Sequence, residues 1–381
     1  MDRTNFERLY TSGELNAPKA ALRTVTAREL QLKDIPSVRF IVDGLIPAGL
    51  SILASPPKYG KSWLVLDLCL SVAAGKRFLG CSTNRSGCLY LALEDSERRL
   101  KTRMDKLLYS RPAPEGFYFA TEAHTLDDGL LDELEAFLAA HGGVKLLVLD
   151  TYQRVRGAAQ GREGAYSADY RETGALKAFA DRHNVALLLV HHLRKMRDDG
   201  DPFAMISGTT GISGAADTML VLSRERRSDS NAKLSVVGRD VENLDAVLRF
   251  DRETCRWTNL GDADAFAEEQ RQHEYLTSPI TQTVHKLLEQ RPQGWEGTAT
   301  DLMTAGQYIA RTSLAVTARD LSAKLKAMSG LFLELDGIVY TRRSNGSGGG
   351  KHAFTYARTW EDEPEEDEAN LFTAELTQLH N

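Results

Sequence analysis

The stretch "LSILASPPKYGKSWLVLDLCLSVAAGKRFLG", Leu50 to Gly80, decides the fold of this chain. An apolar run leads into two prolines, then into Gly60-Lys61-Ser62, and then into a long apolar helical pattern. Strand, loop and helix in this order are typical of a phosphate-binding loop, in which loop amides and the helix N-terminus face an anion. Lys61 would then reach the β and γ phosphates of a nucleotide, and the Ser62 hydroxyl would bind Mg²⁺.

The loop departs from the usual pattern G-x-x-x-x-G-K-[ST] at its first position, where Ser55 replaces glycine. Two prolines follow, and because proline donates no amide, we expect the amides closest to the β-phosphate to lie between Lys58 and Ser62. An ordinary strand-to-helix turn with a surface lysine is the alternative. The predicted nucleotide-binding residues are Ser55, Pro56, Pro57, Lys58, Tyr59, Gly60, Lys61, Ser62 and Trp63.

Composition sets the class of protein. A chain of 381 residues with 42% hydrophobic residues is long for one domain, so two domains are expected. It has no 18-residue apolar run and begins with a polar segment, which predicts a protein that neither spans a membrane nor is secreted by the standard route. The four cysteines lack metal-binding spacing, so we expect core thiols in a reducing cytoplasm: Cys69, Cys81, Cys88 and Cys255.

The net charge of −6 is an average over unlike segments. The segment 361–368, EDEPEEDE, is acidic apart from its proline, whereas residues 276–358 contain ten Lys and Arg against six Asp and Glu. A basic module is therefore followed by an acidic tail.

Apolar runs alternate with helical patterns over the first two thirds of the chain, which predicts an α/β fold with a mostly parallel, doubly wound or RecA-like sheet. Its ligands should gather at the carboxyl ends of the strands. The predicted parallel strands are Leu50–Ala54, Cys88–Leu93, Val144–Leu149, Val185–Val190 and Thr218–Leu222, with an antiparallel pair at the sheet edge, Lys233–Gly238 and Ala246–Phe250. The predicted organisation is an arm at 1–38, an ATPase domain at 39–260, a helical linker at 261–275, a second module at 276–358 and a tail at 359–381.

Acidic residues end two of these strands. Asp150 ends "VKLLVLD", the usual Walker B position, where a carboxylate would hold Mg²⁺ through water. Glu94 follows "CLYLAL" directly and is the predicted base that polarises the attacking water. Asp95-Ser96 has an alternative interpretation as the N-cap of the following helix.

A third strand, "VALLLVHH", ends in two histidines, His191 and His192. A histidine beside a γ-phosphate can report whether that phosphate is present, although such a pair can also be structural or bind a metal. No further ligands at metal spacing accompany the pair, so zinc is not expected.

From Arg39 to about Trp257 the chain resembles the RecA-like ATPases of the AAA_25 or plasmid RepA hexameric helicase type, relatives of DnaB helicases, RadA and RecA. The resemblance rests on "SPPKYGKSWLVLDLCLSVAAGKRFLG", "LYLALEDSERRLKTR", "LLVLDTYQR", "LLVHHLRK" and "ISGTTGISGAADTMLVLSR". It implies that Glu94 is the catalytic glutamate, that Asp150 belongs to Walker B and that His192 senses the γ-phosphate. It also implies that Arg239 is an arginine finger for the neighbouring subunit; the alternative is a salt bridge to Asp240 or Glu242.

In this family two loops point into the centre of a ring, one after Asp150 and one after His192. Both loops are long here and carry basic residues, as a surface that tracks single-stranded DNA would. They can equally be plain mobile loops, and Asp198, Asp199 and Asp201 make the second one less basic. The predicted DNA-binding residues of the two loops are Arg156, Arg162, Lys195 and Arg197.

Residues 276–358 read as three short helices followed by a ribbon with a flexible, basic tip, "LFLELDGIVYTRR", "SNGSGGG" and "KHAFTYAR". This pattern resembles the C-terminal winged-helix domains of phage and mobile-element ATPases. Such a domain places its third helix in the DNA major groove, and its wing contacts phosphates. Binding to protein is the alternative. The predicted wing contacts are Arg342, Arg343, Lys351 and His352.

Together these features predict a Mg²⁺-dependent ATPase that moves along DNA, the replicative helicase or helicase-like initiator ATPase of a plasmid, phage or integrated element. ATP and Mg²⁺ are the expected ligands, single-stranded or duplex DNA the expected partner, and a hexameric ring the expected assembly. One alternative is a RecA-like recombination or repair ATPase that forms filaments. The other is a DNA-binding regulator whose oligomerisation ATP switches.

Overall fold

The computed structural model describes residues 24–157, 164–193, 201–206, 208, 210–224, 226, 229–345 and 349–357. Its strands are β1 (Phe40–Val42), β2 (Ile46–Pro47), β3 (Gly49–Ser55), β4 (Gly87–Ala92), β5 (Phe117–Ala120), β6 (Val144–Asp150), β7 (Ala186–His192), β8 (Thr218–Ser223), β9 (Asn231–Gly238), β10 (Leu244–Phe250), β11 (Trp257–Asp262), β12 (Trp295–Thr298), β13 (Ile338–Asn345) and β14 (Gly349–Tyr356).

The α-helices are α1 (Ala27–Leu32), α2 (Lys61–Ala74), α3 (Glu97–Leu108), α4 (Leu130–Ala140), α5 (Tyr152–Val155), α6 (Ala165–His183), α7 (Thr210–Ala215), α8 (Ala263–Thr277), α9 (Pro279–Gln290), α10 (Ala299–Ile309) and α11 (Ala318–Asp336). Short 3₁₀ helices occur at Leu126–Asp128 and Pro202–Met205. Among the described residues, no helix has the length and apolar character needed to cross a membrane.

Nine strands form one mixed sheet with the order β11-β10-β9-β8-β3-β7-β6-β4-β5. The pairs β3–β7, β6–β7, β4–β6 and β4–β5 are parallel. The large, mostly parallel sheet confirms the predicted fold class. The predicted strands β9 and β10 are present as neighbours in the sheet, but β11, which the sequence analysis missed, forms the edge, and β5 was missed at the other edge.

The central strand β3 and its following helix are buried for a physical reason. Every residue of β3 is buried because the strand lies inside the sheet, between β8 and β7. Helix α2 is apolar around most of its circumference, and eleven of its residues are buried, from Lys61 to Ala73. Gly60 and Gly75, both in the left-handed region at φ 90° and 65°, begin and end the helix, and this conformation suits glycine.

The chain divides into two compact units. The first runs up to Leu220 and includes Val236–Glu242; the second comprises Val221–Ser235 and the residues from Asn243 onward. In the second unit, helices α9 to α11 and a sheet of order β12-β14-β13 enclose their own core, with rings of Trp295, Phe332 and Phe354 in contact.

The predicted start of the C-terminal ribbon was wrong. Residues 331–336, "LFLELD", were assigned to a strand but form the last turns of α11. The apolar positions Leu321, Leu325 and Phe332 continue one helical face into the core, and Gly337 at φ 64° ends the helix. The short strand β12, which pairs with β14, was also missed.

A charged cluster holds the amino ends of the central strands of the first unit. Asp217, just before β8, accepts a hydrogen bond from the Leu50 amide at 3.0 Å and from Lys177 Nζ at 2.6 Å. Gly49 lies beside this carboxylate with φ +112°, and a Cβ there would come within 2.7 Å of Asp217 Oδ2. The start of β3 therefore requires glycine.

We expect Gly49→Ala to destabilise the first unit by about 1–3 kcal/mol, because it combines an unfavourable φ with a clash at a buried carboxylate. Urea unfolding of the full chain measures this change. Gly143→Ala is the matched control, since a Cβ at Gly143 meets no atom within 4 Å. Equal stability of the two variants would contradict the assignment of Gly49 as a steric requirement.

Candidate nucleotide site

The predicted nucleotide-binding residues form one turn between β3 and α2. Ser55 ends β3 and is buried, and its hydroxyl donates to the Pro56 carbonyl at 3.1 Å. Lys58 and Gly60 have positive φ values of 68° and 90°, which turn the chain back to the start of the helix. Pro57 and Lys58 are exposed, whereas Lys61 is buried.

The register of the parallel strands aligns the predicted catalytic residues at one edge of the sheet. Ser55 on β3 is paired with His192 on β7, and Asp150 on β6 is paired with Val190 and with Ala92 on β4. Glu94 follows β4 by two residues. Four elements therefore deliver Lys61, Glu94, Asp150 and His192 to the carboxyl ends of neighbouring strands.

Lys61 is a buried cation, with 7% of its surface exposed. Among the described residues, His192 Nδ1 is its direct hydrogen-bond partner, 3.1 Å from Lys61 Nζ. Burial lowers the pKa of Lys61, and the carboxylates of Asp150 and Glu94 oppose that shift. A buried ammonium group near the mouth of a helix suits a polyanionic ligand.

His192 is neutral in this setting, because burial and the nearby Lys61 ammonium both lower its pKa. Its Nδ1 then accepts a hydrogen bond from Lys61, and its proton lies on Nε2. Its neighbour His191 is buried instead, with its ring edge-on to Tyr152 at 5.6 Å. The two predicted histidines are thus separated: His192 faces the loop, and His191 lies in the interior.

Asp150 and Glu94 differ in environment. Asp150 is 6% exposed, and Tyr90 donates its hydroxyl hydrogen to Asp150 Oδ2 at 2.7 Å. Burial raises the pKa of Asp150, while the Tyr90 hydrogen bond and the Lys61 charge oppose the rise. Glu94 is exposed and accepts a hydrogen bond from Thr151 Oγ1 at 3.1 Å. The Asp150 carboxylate is buried, whereas the Glu94 carboxylate is exposed and held by one hydrogen bond.

The oxygen donors near Lys61 fit a magnesium ion that also binds a nucleotide. Ser62 and Asp150 supply hard oxygen ligands, and Mg²⁺ is commonly held by one or two such groups together with substrate phosphates. Within the described residues no cluster of three or more His, Cys, Asp or Glu forms a metal site by itself.

Asp95 is committed to two arginines. Its carboxylate forms ion pairs with Arg99, at 2.7 Å, and with Arg103. The Arg103 guanidinium lies over the ring of Trp63, 5.5 Å from its centroid. Ser96, not Asp95, is the N-cap of α3 and accepts a hydrogen bond from the Arg99 amide. Sequence reasoning missed Tyr90 and Arg103 because their roles depend on contacts across elements.

Arg239 lies at the opposite, amino edge of the sheet from Lys61. Its guanidinium pairs with Asp217 Oδ1 at 3.3 Å, and 59% of its side chain is exposed. Asp217 also contacts the Leu50 amide at the start of β3, whereas the phosphate loop follows the end of β3. The ion pair considered as an alternative exists, but its partner is Asp217 and not Asp240 or Glu242.

The predicted DNA-binding residues fall into three groups. Arg156 is engaged internally with Asp169 at 2.5 Å and Glu172 at 2.8 Å. Arg342, Arg343 and Lys351 are exposed on β13 and β14, and Lys351 pairs with Glu296 at 2.9 Å. Arg162, Lys195 and Arg197 lie outside the described residues.

The predicted surface role of His352 was wrong. Only 1% of this residue is exposed, and its ring nitrogens contact Ser322 Oγ at 3.2 Å and the Tyr340 hydroxyl at 2.8 Å. Its ring also stacks on Tyr340. Alternation along β14 turns Lys351 outward and His352 inward, so His352 packs inside the second unit.

Replacing Tyr90 by phenylalanine should raise the pKa of Asp150, because the hydroxyl that stabilises the carboxylate is lost while burial remains. Asp150 would then be protonated at higher pH, and the acid limb of nucleotide hydrolysis should move to higher pH. Hydrolysis rates across pH for the wild type and Tyr90→Phe measure the shift. Tyr109→Phe, at an exposed tyrosine, is the control; identical profiles for all three proteins would argue against this role of Tyr90.

The chain is similar to known proteins over part of its length. Residues 16–198 match the sequence profile of a family described as an AAA domain, AAA_25. The chain is 28% identical over 208 residues to the DNA repair protein RadA of Mycobacterium tuberculosis (strain CDC 1551 / Oshkosh), a match that covers 54% of this chain and 37% of that protein. It is 25% identical over 215 residues to RadA of Synechocystis sp. (strain ATCC 27184 / PCC 6803 / Kazusa), covering 53% of this chain and 38% of that protein.

A solved structure of a DnaB-like replicative helicase, described together with its interactions with primase, has a TM-score of 0.48 and 11% identity, over 68% of this chain and 72% of that chain. The chain spans 37% and 38% of the two RadA proteins that it matches. The matched profile spans the predicted phosphate loop before α2 and strands β3 to β7 of the mostly parallel sheet, in agreement with the predicted RecA-like fold.

Proposed function

We propose that this protein is an ATP-hydrolysing DNA motor of the helicase type. The observation that carries the proposal is the convergence of Lys61, Asp150, Glu94 and His192 at one edge of the sheet, with Lys61 Nζ 3.1 Å from His192 Nδ1. A buried lysine and a buried carboxylate are suited to a triphosphate and its metal, and an exposed carboxylate beside them is suited to water.

In this proposal Lys61 neutralises charge on the β and γ phosphates, and Glu94 orients the attacking water. Thr151 fixes the position of the Glu94 carboxylate by its hydrogen bond. Neutral His192 accepts a hydrogen bond from Lys61 and carries its own proton on Nε2. A γ-phosphate that attracts Lys61 would break this contact and so change the environment of His192 at the end of β7. Mg²⁺, when bound between Ser62, Asp150 and the nucleotide, would neutralise phosphate charge and orient the phosphates.

Two features support DNA as the partner. The RadA relatives are named DNA repair proteins. The second unit has the element order helix, strand, helix, helix, hairpin, with Arg342 and Arg343 exposed on the hairpin. This order supports the predicted winged helix, and exposed arginines on a wing are suited to the phosphate backbone. We propose that this unit binds DNA and that the motor works as a ring of identical subunits.

A repair or recombination ATPase is the second candidate. The similarity to RadA over about half of the chain favours it. The two candidates share the hydrolysis chemistry and differ in what hydrolysis does to DNA. Strand displacement on a forked duplex is expected of the helicase, whereas filaments on single strands without displacement are expected of the recombination enzyme.

The decisive experiment measures ATP hydrolysis by the full chain with and without single-stranded DNA, next to strand displacement. We expect stimulation by DNA, loss of hydrolysis in Lys61→Ala, and a loss on the order of 100-fold or more in Glu94→Gln with nucleotide binding retained. Lys76→Ala, at an exposed lysine just after α2, is the control. Normal turnover in Lys61→Ala would refute the assignment of the nucleotide site. Normal turnover in Glu94→Gln would show that another residue orients the attacking water.

Arg239 tests the proposed ring. Because it lies at the amino edge, far along the sheet from its own phosphate loop, we propose that it acts on the nucleotide of a neighbouring subunit. Arg239→Ala should then be inactive, and co-expression with Lys61→Ala should restore part of the activity, since some interfaces combine an intact loop with an intact arginine. The rate lost with such an arginine is about 1,000-fold or more, so partial rescue is measurable.

A purely structural Arg239 gives a different result. Lys177 still pairs with Asp217 at 2.6 Å when Arg239 is removed, so the loss of an exposed pair should cost about 1 kcal/mol or less. Full activity of Arg239→Ala would therefore eliminate the proposed role between subunits. Absence of rescue at every mixing ratio would count against a shared site.

A further inference from the structure

Two tyrosines near the start of α6 form an exposed aromatic surface. Tyr166 and Tyr170 are four residues apart and lie on one face of the helix. Their ring centroids are 6.3 Å apart and their planes differ by 11°. The two residues are 53% and 55% exposed. Tyr166 and Tyr170 are the exposed large hydrophobic residues of the described range 164–193.

The pair lies on the catalytic side of the first unit. Helix α6 follows β6, which ends at Asp150, and it ends at His183, shortly before the amino end of β7. Because β6 and β7 are parallel, α6 begins on the side where the strands end. Tyr166 and Tyr170 therefore belong to the same edge of the sheet as the phosphate loop.

A buried ion network fixes the start of α6 to the end of β6. Arg156 pairs with Asp169 at 2.5 Å and with Glu172 at 2.8 Å, and the Tyr152 hydroxyl donates to Glu172 at 3.1 Å. Tyr152 is only two residues from Asp150. The tyrosine pair thus stands on a helix whose position depends on the strand that carries the buried catalytic carboxylate.

The same network removes negative charge from the surface beneath the rings. Asp169 and Glu172 are the acidic residues of the first turns of α6, and each is 2% exposed and paired with Arg156. The exposed part of these turns therefore offers aromatic faces without an exposed carboxylate. Such a surface is compatible with a polyanion that also contains flat apolar rings able to stack on the tyrosines.

We infer that Tyr166 and Tyr170 form a stacking platform for the unpaired bases of single-stranded DNA. The inference rests on the proposed function and extends it to residues that recognise bases. Single-strand-binding proteins commonly hold successive bases on exposed aromatic rings, and such stacking accepts every base. The rival occupant is a protein surface; the pairing of Asp169 and Glu172 with Arg156, which leaves no exposed carboxylate in these turns, favours a polyanion.

The test compares binding of two labelled strands of equal length to the full chain, a thymidine oligonucleotide and an abasic strand with the same phosphates. We expect the double variant Tyr166→Ala/Tyr170→Ala to bind the thymidine strand about ten-fold more weakly or worse, with little change for the abasic strand. Tyr166→Phe/Tyr170→Phe should bind like the wild type, because the rings are retained. Circular dichroism verifies the fold of each variant.

Tyr109→Asn is the matched control. Tyr109 is 59% exposed and lies outside the nucleotide site, and asparagine accepts its left-handed conformation at φ 51°. This variant should bind both strands as the wild type does. An equal loss in Tyr109→Asn would mean that any exposed tyrosine contributes, which would overturn the platform.

The outcomes separate this inference from the proposed function. A wild type that binds neither strand and shows no DNA-stimulated hydrolysis would refute the DNA motor and the platform with it. A wild type that prefers the thymidine strand, with an unchanged preference in the double alanine variant, would refute the platform alone. A change in oligomeric state by light scattering, with the base preference unchanged, would assign the tyrosines to a subunit contact instead.

Discussion

The parallel register of four strands is the constraint on which the site depends. Hydrogen bonding aligns Ser55 with His192, and Asp150 with both Val190 and Ala92. A shift of one residue in any of these pairs would turn Ser55, Asp150 or His192 to the other face of the sheet. Hydrogen bonding between the strands therefore brings residues from distant parts of the chain together at one edge of the sheet, which a local motif cannot do.

The electrostatics of that edge follow from burial. Lys61 and Asp150 are both largely buried, and burial disfavours the charged form of each, so the pKa of the lysine falls and that of the carboxyl rises. Tyr90 and the mutual attraction of the two charges oppose these shifts. A polar ligand that enters such a site meets groups already stripped of water, and charge interactions are stronger there than at an exposed surface.

Charge clusters also fix the two ends of the sheet. At the amino end, Asp217 joins the Leu50 amide, Lys177 and Arg239. At the carboxyl end, Arg156 joins Asp169 and Glu172. Breaking either cluster would leave a buried carboxylate with fewer partners, which is costly in a protein interior. Arg156 therefore acts as a structural residue between β6 and α6, although its basic character suggested contact with DNA.

Local sequence determined the features whose cause is local. The apolar run, Gly60-Lys61-Ser62 and the apolar helical pattern specify a strand, a tight loop and a buried helix, and the apolar runs before Glu94 and Asp150 specify the strands that these residues follow or end. Tertiary structure alone decided the rest. The roles of Tyr90 and Thr151, the Asp217 partner of Arg239 and the burial of His352 all depend on contacts between residues far apart in the chain. A short apolar segment such as "LFLELD" is compatible with either a strand or a helix, and tertiary packing decides between them. Here the segment continues helix α11, because its apolar residues lie on the helical face that packs against the core. Side-chain partners across a sheet are set by register and packing, and these are properties of the folded chain as a whole.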